Sequence, residues 1–273
     1  MKFKKLLLVV LLFVNFCSFG QILTFDFVGL AGSEATAVSN SNDANLTTST
    51  ISRGAGLTAS ANGDRFNATD WALTSIANAV TGNDYMQFTI TPTAGYQFSV
   101  SSIVVNWQRS ASGNTAIALR SSVDGYAANL DAVKTITDNT ITQTITFTFA
   151  QANSTSAVTY RIYGYSEATG GSGGPGDGTG NDIIVNGAVT PAITGIESIA
   201  TGNWSNPATW TGGNVPDSNE SAIIKAGHTV TMDNATYATR DASTTTTVEL
   251  GGILQTGMTY TNNGTTTVNG TFR

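Results

Sequence analysis

The stretch Gly202–Asp233, GNWSNPATWTGGNVPDSNESAIIKAGHTVTMD, decides how the C-terminal part of the chain is read. Trp204 and Trp210 lead into a Gly212-Gly213 turn and Val215-Pro216. A short apolar run, Ala222-Ile223-Ile224, follows, then a tight Ala226-Gly227-His228 turn and an alternating strand. Short strands set between frequent turns continue to the end. Val248-Glu-Leu-Gly-Gly-Ile-Leu and Val268-Asn-Gly-Thr-Phe read as consecutive copies, with their valines 20 residues apart. That spacing suits one rung of a solenoid, in which each unit buries its apolar face only by stacking on a neighbour.

Upstream, residues 22–190 read as strands separated by turn residues. In Ile22–Val28, Leu23, Phe25 and Phe27 alternate with Thr24, Asp26 and Val28. Ile145, Phe147 and Phe149 alternate with Thr144, Thr146 and Thr148. Period-two patterning puts one face of each strand in a core and the other in water. A domain near 170 residues buries roughly 70% of its unfolded surface, enough for stability without disulfides. The expected fold class is all-β: a β-sandwich of jelly-roll type over 21–190, a linker over 191–200, and a solenoid over 201–273. Trp71–Val80 alone carries a weak helical signal.

The start of the chain has the grammar of an export signal. Lys2, Lys4 and Lys5 form a basic n-region, and Leu6–Phe16 an apolar run of about eleven residues, too short to span a bilayer. Cleavage is expected near Gly20/Gln21, placing the mature protein outside the cell or on its outer surface. Cleavage removes the single cysteine, Cys17, and leaves nine basic against 18 acidic residues, a net charge of −9. Such a chain is not expected to bind nucleic acid or insert into a membrane, since both need clustered Lys/Arg or long apolar spans. Charged residues are only 11% of the chain, so Thr, Ser, Asn and Gly fill the surface instead.

Two resemblances sharpen this reading. Gly202–Asp233 resembles the opening of the eight-glycine domain and of related right-handed β-helices in large secreted proteins. The resemblance implies that the segment is the first rung of a right-handed parallel β-helix. It also implies that Trp204 and Trp210 cap the open end of the core and that His228 is structural. The motifs FDFVG (Phe25–Gly29), SRGAGL (Ser52–Leu57), RFNATDW (Arg65–Trp71) and WQRS (Trp107–Ser110) lie in the first half. ALRSSVDGY (Ala118–Tyr126), RIYGY (Arg161–Tyr165) and GNDIIVNG (Gly180–Gly187) complete the set. Together they resemble a jelly-roll accessory domain of secreted, Bacteroidetes-type multidomain surface proteins, often compared with carbohydrate-binding modules. About three rungs fit after the linker, with no closing cap before Arg273. The chain is therefore expected to be the opening of a longer protein, or a short protein whose last rung a partner covers.

Candidate chemistry is sparse. One histidine, His228, supports neither a two-imidazole zinc site nor a Ser-His pair with a Gly-x-Ser-x-Gly elbow. Asp64, Asp70, Asp84, Asp124, Asp131 and Asp138 could supply a glycosidase pair, but nearly all sit in turns, where Asp bonds its own backbone. No catalytic constellation is visible, and the chain is read as a non-enzyme. Gly174–Asp182, GPGDGTGND, is rich in oxygen ligands and glycine. With neighbouring first and last strands, Asp26 would approach Asp182, and Asp26, Asp177, Asn181 and Asp182 become candidate ligands for one structural calcium. The competing reading is a flexible glycine-rich loop.

The most function-like pattern is a surface one. Strand alternation places Asn106, Gln108, Arg120, Arg161, Tyr163 and Tyr165 outside the core. Such amides, guanidinium groups and phenol rings recognise sugars, so a polysaccharide or cell-surface glycan is the expected partner. The competing reading packs Tyr163 and Tyr165 under a covering loop and pairs Arg120 and Arg161 with Asp26 or Asp124. The leading expectation is a non-catalytic carbohydrate-binding or adhesion sandwich with a β-helix spacer. The alternatives are the front of a polysaccharide-degrading β-helix enzyme, and a purely structural module.

Overall fold

The computed structural model describes residues 20–137, 141–166, 168–192 and 194–273; the segment 1–19 expected to direct export, with Cys17, and Asp138 lie outside them. The chain is mostly β-strand, with two short α-helices among the described residues, and divides into two units at the Pro191–Ala192 bond. No helix among these residues is long and apolar enough to cross a membrane.

The first unit holds an eight-stranded and a seven-stranded sheet around one core. At the centre of the first sheet, strand Tyr96–Arg109 pairs antiparallel with Gln143–Ser154, Ile183–Pro191 and Gly173–Pro175. Strand Gly20–Phe25 continues that sheet beside Ile183–Pro191, with Phe25 opposite Ile183. In the second sheet, strand Val158–Ser166 lies between Asn114–Ser121 and Tyr85–Ile90. The two sheets meet through aromatic side chains: Phe25 of the first contacts Phe88 of the second edge-on at 5.5 Å, giving the unit its β-sandwich character. Alternation follows expectation at Ile145 and Phe147, which are buried between exposed Thr144, Thr146 and Thr148, whereas Phe149 is only half-buried.

The helical signal near Trp71–Val80 falls at Ile76–Gly82, later than expected. Ser75 caps its start by accepting from the Asn78 N–H, and Asn83 ends it in a left-handed conformation at φ 62°. The linker is shorter than expected. Pro191 ends a sandwich strand, and Ile196–Glu197 already pairs parallel with Ala222–Ile224 of the second unit.

Of the glycine-rich stretch Gly174–Asp182, only the first two residues lie in a strand; 176–182 form an irregular turn with Gly176, Gly178 and Gly180 at positive φ. Gly173–Pro175 is a strand, its glycines buried because neighbouring backbone leaves no room for a side chain. A Cβ on Gly174 would sit 2.2 Å from the Phe66 carbonyl oxygen. Gly174→Ala is therefore expected to lower stability by about 1–3 kcal/mol in urea unfolding, the range for overpacking. Gly63→Ala, where the nearest atom is at 3.9 Å, should change little.

In the second unit every strand ladder is parallel. Ile196–Glu197, Ala222–Ile224, Thr245–Val248 and Thr265–Val268 form one ladder. Gly202–Asn203, Thr229–Met232, Ile253–Thr256 and Thr271–Phe272 form a second, and Thr239–Arg240 with Thr261–Asn262 a third. Val248 stands opposite Val268, so the 20-residue repeat is the pairing register. Earlier turns are longer, since Ala222 pairs with Thr246, because they carry the inserted segments around Trp204–Pro216 and Asn234–Ala238. Inside, Trp204 and Trp210 are fully buried and meet edge-on at 4.8 Å. Their indole N–H groups donate to the carbonyls of Pro216 and Trp204 respectively, tying the segment into the core with Ile224, Val230, Val248 and Leu254.

Candidate functional site

The six residues expected to share one face are split between the two sheets. Asn106 and Gln108 lie on Tyr96–Arg109 of the first sheet; Arg120, Arg161, Tyr163 and Tyr165 lie on adjacent strands of the second. Alternation along a strand separates inside from outside, but it does not say to which sheet a strand belongs.

The second-sheet group is brought together. Arg120 stands directly opposite Arg161, and Gln87 opposite Arg161 on the other side. The Arg161 guanidinium lies 4.0 Å from the Tyr85 ring centre and 3.8 Å from that of Tyr126. Its Nε donates to Gln87 Oε1 at 3.0 Å and its Nη1 to Tyr163 Oη at 3.3 Å. Arg120 Nε donates to Asn129 Oδ1 at 2.8 Å, and its Nη1 to the carbonyls of Tyr126 and Ala127. Tyr163 is not a surface residue: it is 1% exposed, edge-on to Tyr85 at 5.2 Å and clustered with Ile76 and Ala79 of the short helix. Tyr165, half-buried, packs against the same cluster. Neither arginine forms an ion pair with a described carboxylate; Asp124 instead accepts from the N–H groups of Ala127 and Ala128.

Beside this group is a cleft of about 400 Å³ lined by Ser121, Asn129, Leu130, Phe149 and Gln151. A half-buried phenyl ring stands among three polar side chains, and Asn129 belongs both to the cleft and to Arg120. Gln151 Oε1 is close to Tyr160 Oη, and its Nε2 has no described acceptor. Only Phe149 carried any warning in the sequence, as the last apolar member of its alternation. The cleft's other residues come together through long-range pairing.

A third cluster gathers where the first and last strands meet. Asp182 N–H donates to the Phe25 carbonyl at 2.7 Å, and Asp182 Oδ2 accepts from the Phe27 N–H at 2.8 Å. Asp182 is 1% exposed and its Oδ1 has no described partner. Burial, with the charges of Asp177 and Asp26 added, pushes its carboxyl up to about 7. Asn106 belongs here, donating to Asp177 Oδ2 at 3.1 Å and to the Asn181 carbonyl at 3.2 Å. Asp177 Oδ1 accepts from the Thr179 N–H, Asn181 Oδ1 from Asn40, and Asp26 Oδ1 from the Val28 N–H. The expected approach of Asp26 to Asp182 is thus present. A calcium ion, however, takes six to eight oxygens. Here most side-chain oxygens are bonded to the protein, and no three acidic, histidine or cysteine side chains converge as on a metal among the described residues.

His228 Nδ1 is 2.9 Å from the hydroxyl of Ser198, whose oxygen also accepts from the Lys225 N–H. Ser198 is 1% exposed, so the pair fastens neighbouring turns and leaves no accessible nucleophile. No protein-family model, curated protein or solved structure matches this chain.

Proposed function

We propose that the chain is an exported, non-catalytic surface protein. Its first unit is a jelly-roll-type sandwich that binds carbohydrate, and its second unit is a right-handed β-helix acting as a spacer. The observation that carries the binding reading is the cleft beside Arg120. Phe149 offers an apolar surface for the C–H groups of a sugar ring, and the exposed Asn129 offers hydrogen bonds to its hydroxyls, with Gln151 beside them in the lining. The spacer reading is supported by the all-parallel ladders and by the buried Trp204–Trp210 pair.

The experiment is glycan retention by the full chain and by the double variant Asn129→Ala/Gln151→Ala. The variant is expected to lose about tenfold or more in affinity, since each site group left without its partner is worth on the order of 1 kcal/mol. Its circular dichroism should match the parent. Equal retention by a folded variant would remove the cleft from the account.

A further inference from the structure

The arginine pair is not explained by folding alone. Arg120 and Arg161 are directly opposite on antiparallel strands, an arrangement that destabilises a sheet when the two charges are alike. Both are half-buried, and neither has a described carboxylate partner, although acidic residues outnumber basic ones 18 to 12 in this chain. The only acid in the covering turn, Asp124, accepts from that turn's own N–H groups. Tyr85 and Tyr126 clamp one guanidinium, and the carbonyls of Tyr126 and Ala127 hold the other. These contacts fix the position of each group without neutralising its charge. On both arginines Nη2 has no described acceptor.

We propose that Arg120 and Arg161 together receive an anionic substituent of the bound saccharide, a carboxylate or a sulfate ester, so that the ligand is an acidic polysaccharide. Two fixed guanidinium groups match the oxygens of such an anion, and a group shared between them removes the like-charge penalty. Asn129 links this position to the cleft, because it lines the cleft and accepts from Arg120 Nε at 2.8 Å. The sugar ring then lies along Phe149 with its charged group turned towards the arginines. This inference rests on the glycan-binding reading, from which the following test separates it.

Binding of the full chain is measured to two matched pairs, polygalacturonate with its full methyl ester, and dextran sulfate with dextran. Polyglutamate serves as an anion without sugar. The inference expects the charged member of at least one pair to bind about tenfold more tightly than its neutral partner, and this preference to fade with salt. The single variant Arg120→Gln, which keeps Arg161 and its tyrosines, is expected to reduce that preference to about twofold with circular dichroism matching the parent. Neutral members bound as well as charged ones would overturn the acidic-ligand inference and leave glycan binding standing. Polyglutamate bound as tightly as the charged polysaccharides would overturn the saccharide class. No binding to any of these polymers or to a wider glycan panel would overturn both readings.

Discussion

Replacing Arg240 by methionine is expected to open the second unit while leaving the first intact. Arg240 is fully buried on the Thr239–Arg240 strand, with its guanidinium 5.1 Å from the Trp204 ring centre. It donates to the carbonyls of Pro216, Asp217 and Glu220, and so fastens the turn that leads into Ala222–Ile224. No described carboxylate forms an ion pair with it; the charge rests against backbone carbonyls and the Trp204 ring. Methionine fills similar space but accepts none of those three roles. The Pro216 carbonyl retains the Trp204 N–H and the Asp217 carbonyl the Glu220 N–H, but the Glu220 carbonyl loses its side-chain donor and the turn loses its anchor. The expected loss is about 3 kcal/mol, a large share of the 5–15 kcal/mol that holds a typical domain together. Hydrogen exchange should show faster exchange in peptides from 196–273 and unchanged protection in 20–191. Arg240→Lys, which offers one compact charge in place of a planar fork, should fall between the two. Unaltered exchange in the second unit of Arg240→Met would show that the turn holds without this side chain.

The second large effect concerns pH. The Asp182 carboxyl is pushed up to about 7 by burial and then by Asp177 and Asp26, whereas an unfolded aspartate titrates near 3.9. Between those values the folded state holds a proton that the unfolded state has released. Stability from this group is therefore complete below about pH 4, falls as pH rises towards 7, and is level above. Asp84, also raised by burial and by Asp70, acts in the same direction. Asp131 acts in the opposite direction at lower pH. The Thr148 N–H, Lys134 and the Ala132 N–H hold it at about 2, so its contribution is lost only as pH falls below about 4. Asp182→Asn keeps an oxygen for the Phe27 N–H without a charge. It is expected to raise stability at pH 8 by up to about 4 kcal/mol, at 1.36 kcal/mol per unit, and to flatten most of the pH 4–7 slope. Urea unfolding at a series of pH values measures this. Calcium should leave the parent curve unchanged. A calcium-dependent gain that grows with pH and vanishes in Asp182→Asn would instead establish Asp26, Asp177, Asn181 and Asp182 as ligands.

Much of the fold was legible wherever local pattern decides it. Ile145 and Phe147 reported their face through alternation, and the valines at 248 and 268 reported the stacking register. Asp26 was placed near Asp182 by assuming that the first and last strands are neighbours. What failed was long-range. Asn106 and Arg120 are equally outward in pattern, yet belong to different sheets, because strand partners are chosen by the whole core and not by neighbours in sequence. Tyr163 alternates as a surface residue but is buried, since the helix Ile76–Gly82 covers that part of the sheet. Gly174 read as part of a flexible loop and is instead a place where backbone approaches backbone. Arg240 gave no signal: a lone arginine among Thr and Asp looks like a solvated surface residue until the turn that surrounds it is seen.

Carbohydrate recognition by the first unit is measured most directly on a glycan array probed with residues 21–273. Saturable binding to polysaccharides is expected, strongest for acidic ones, competed by the soluble polymer and lost in Asn129→Ala/Gln151→Ala. A folded chain that binds no glycan at any concentration reached on the array would contradict it, and would leave the sandwich and its cleft as structural elements only.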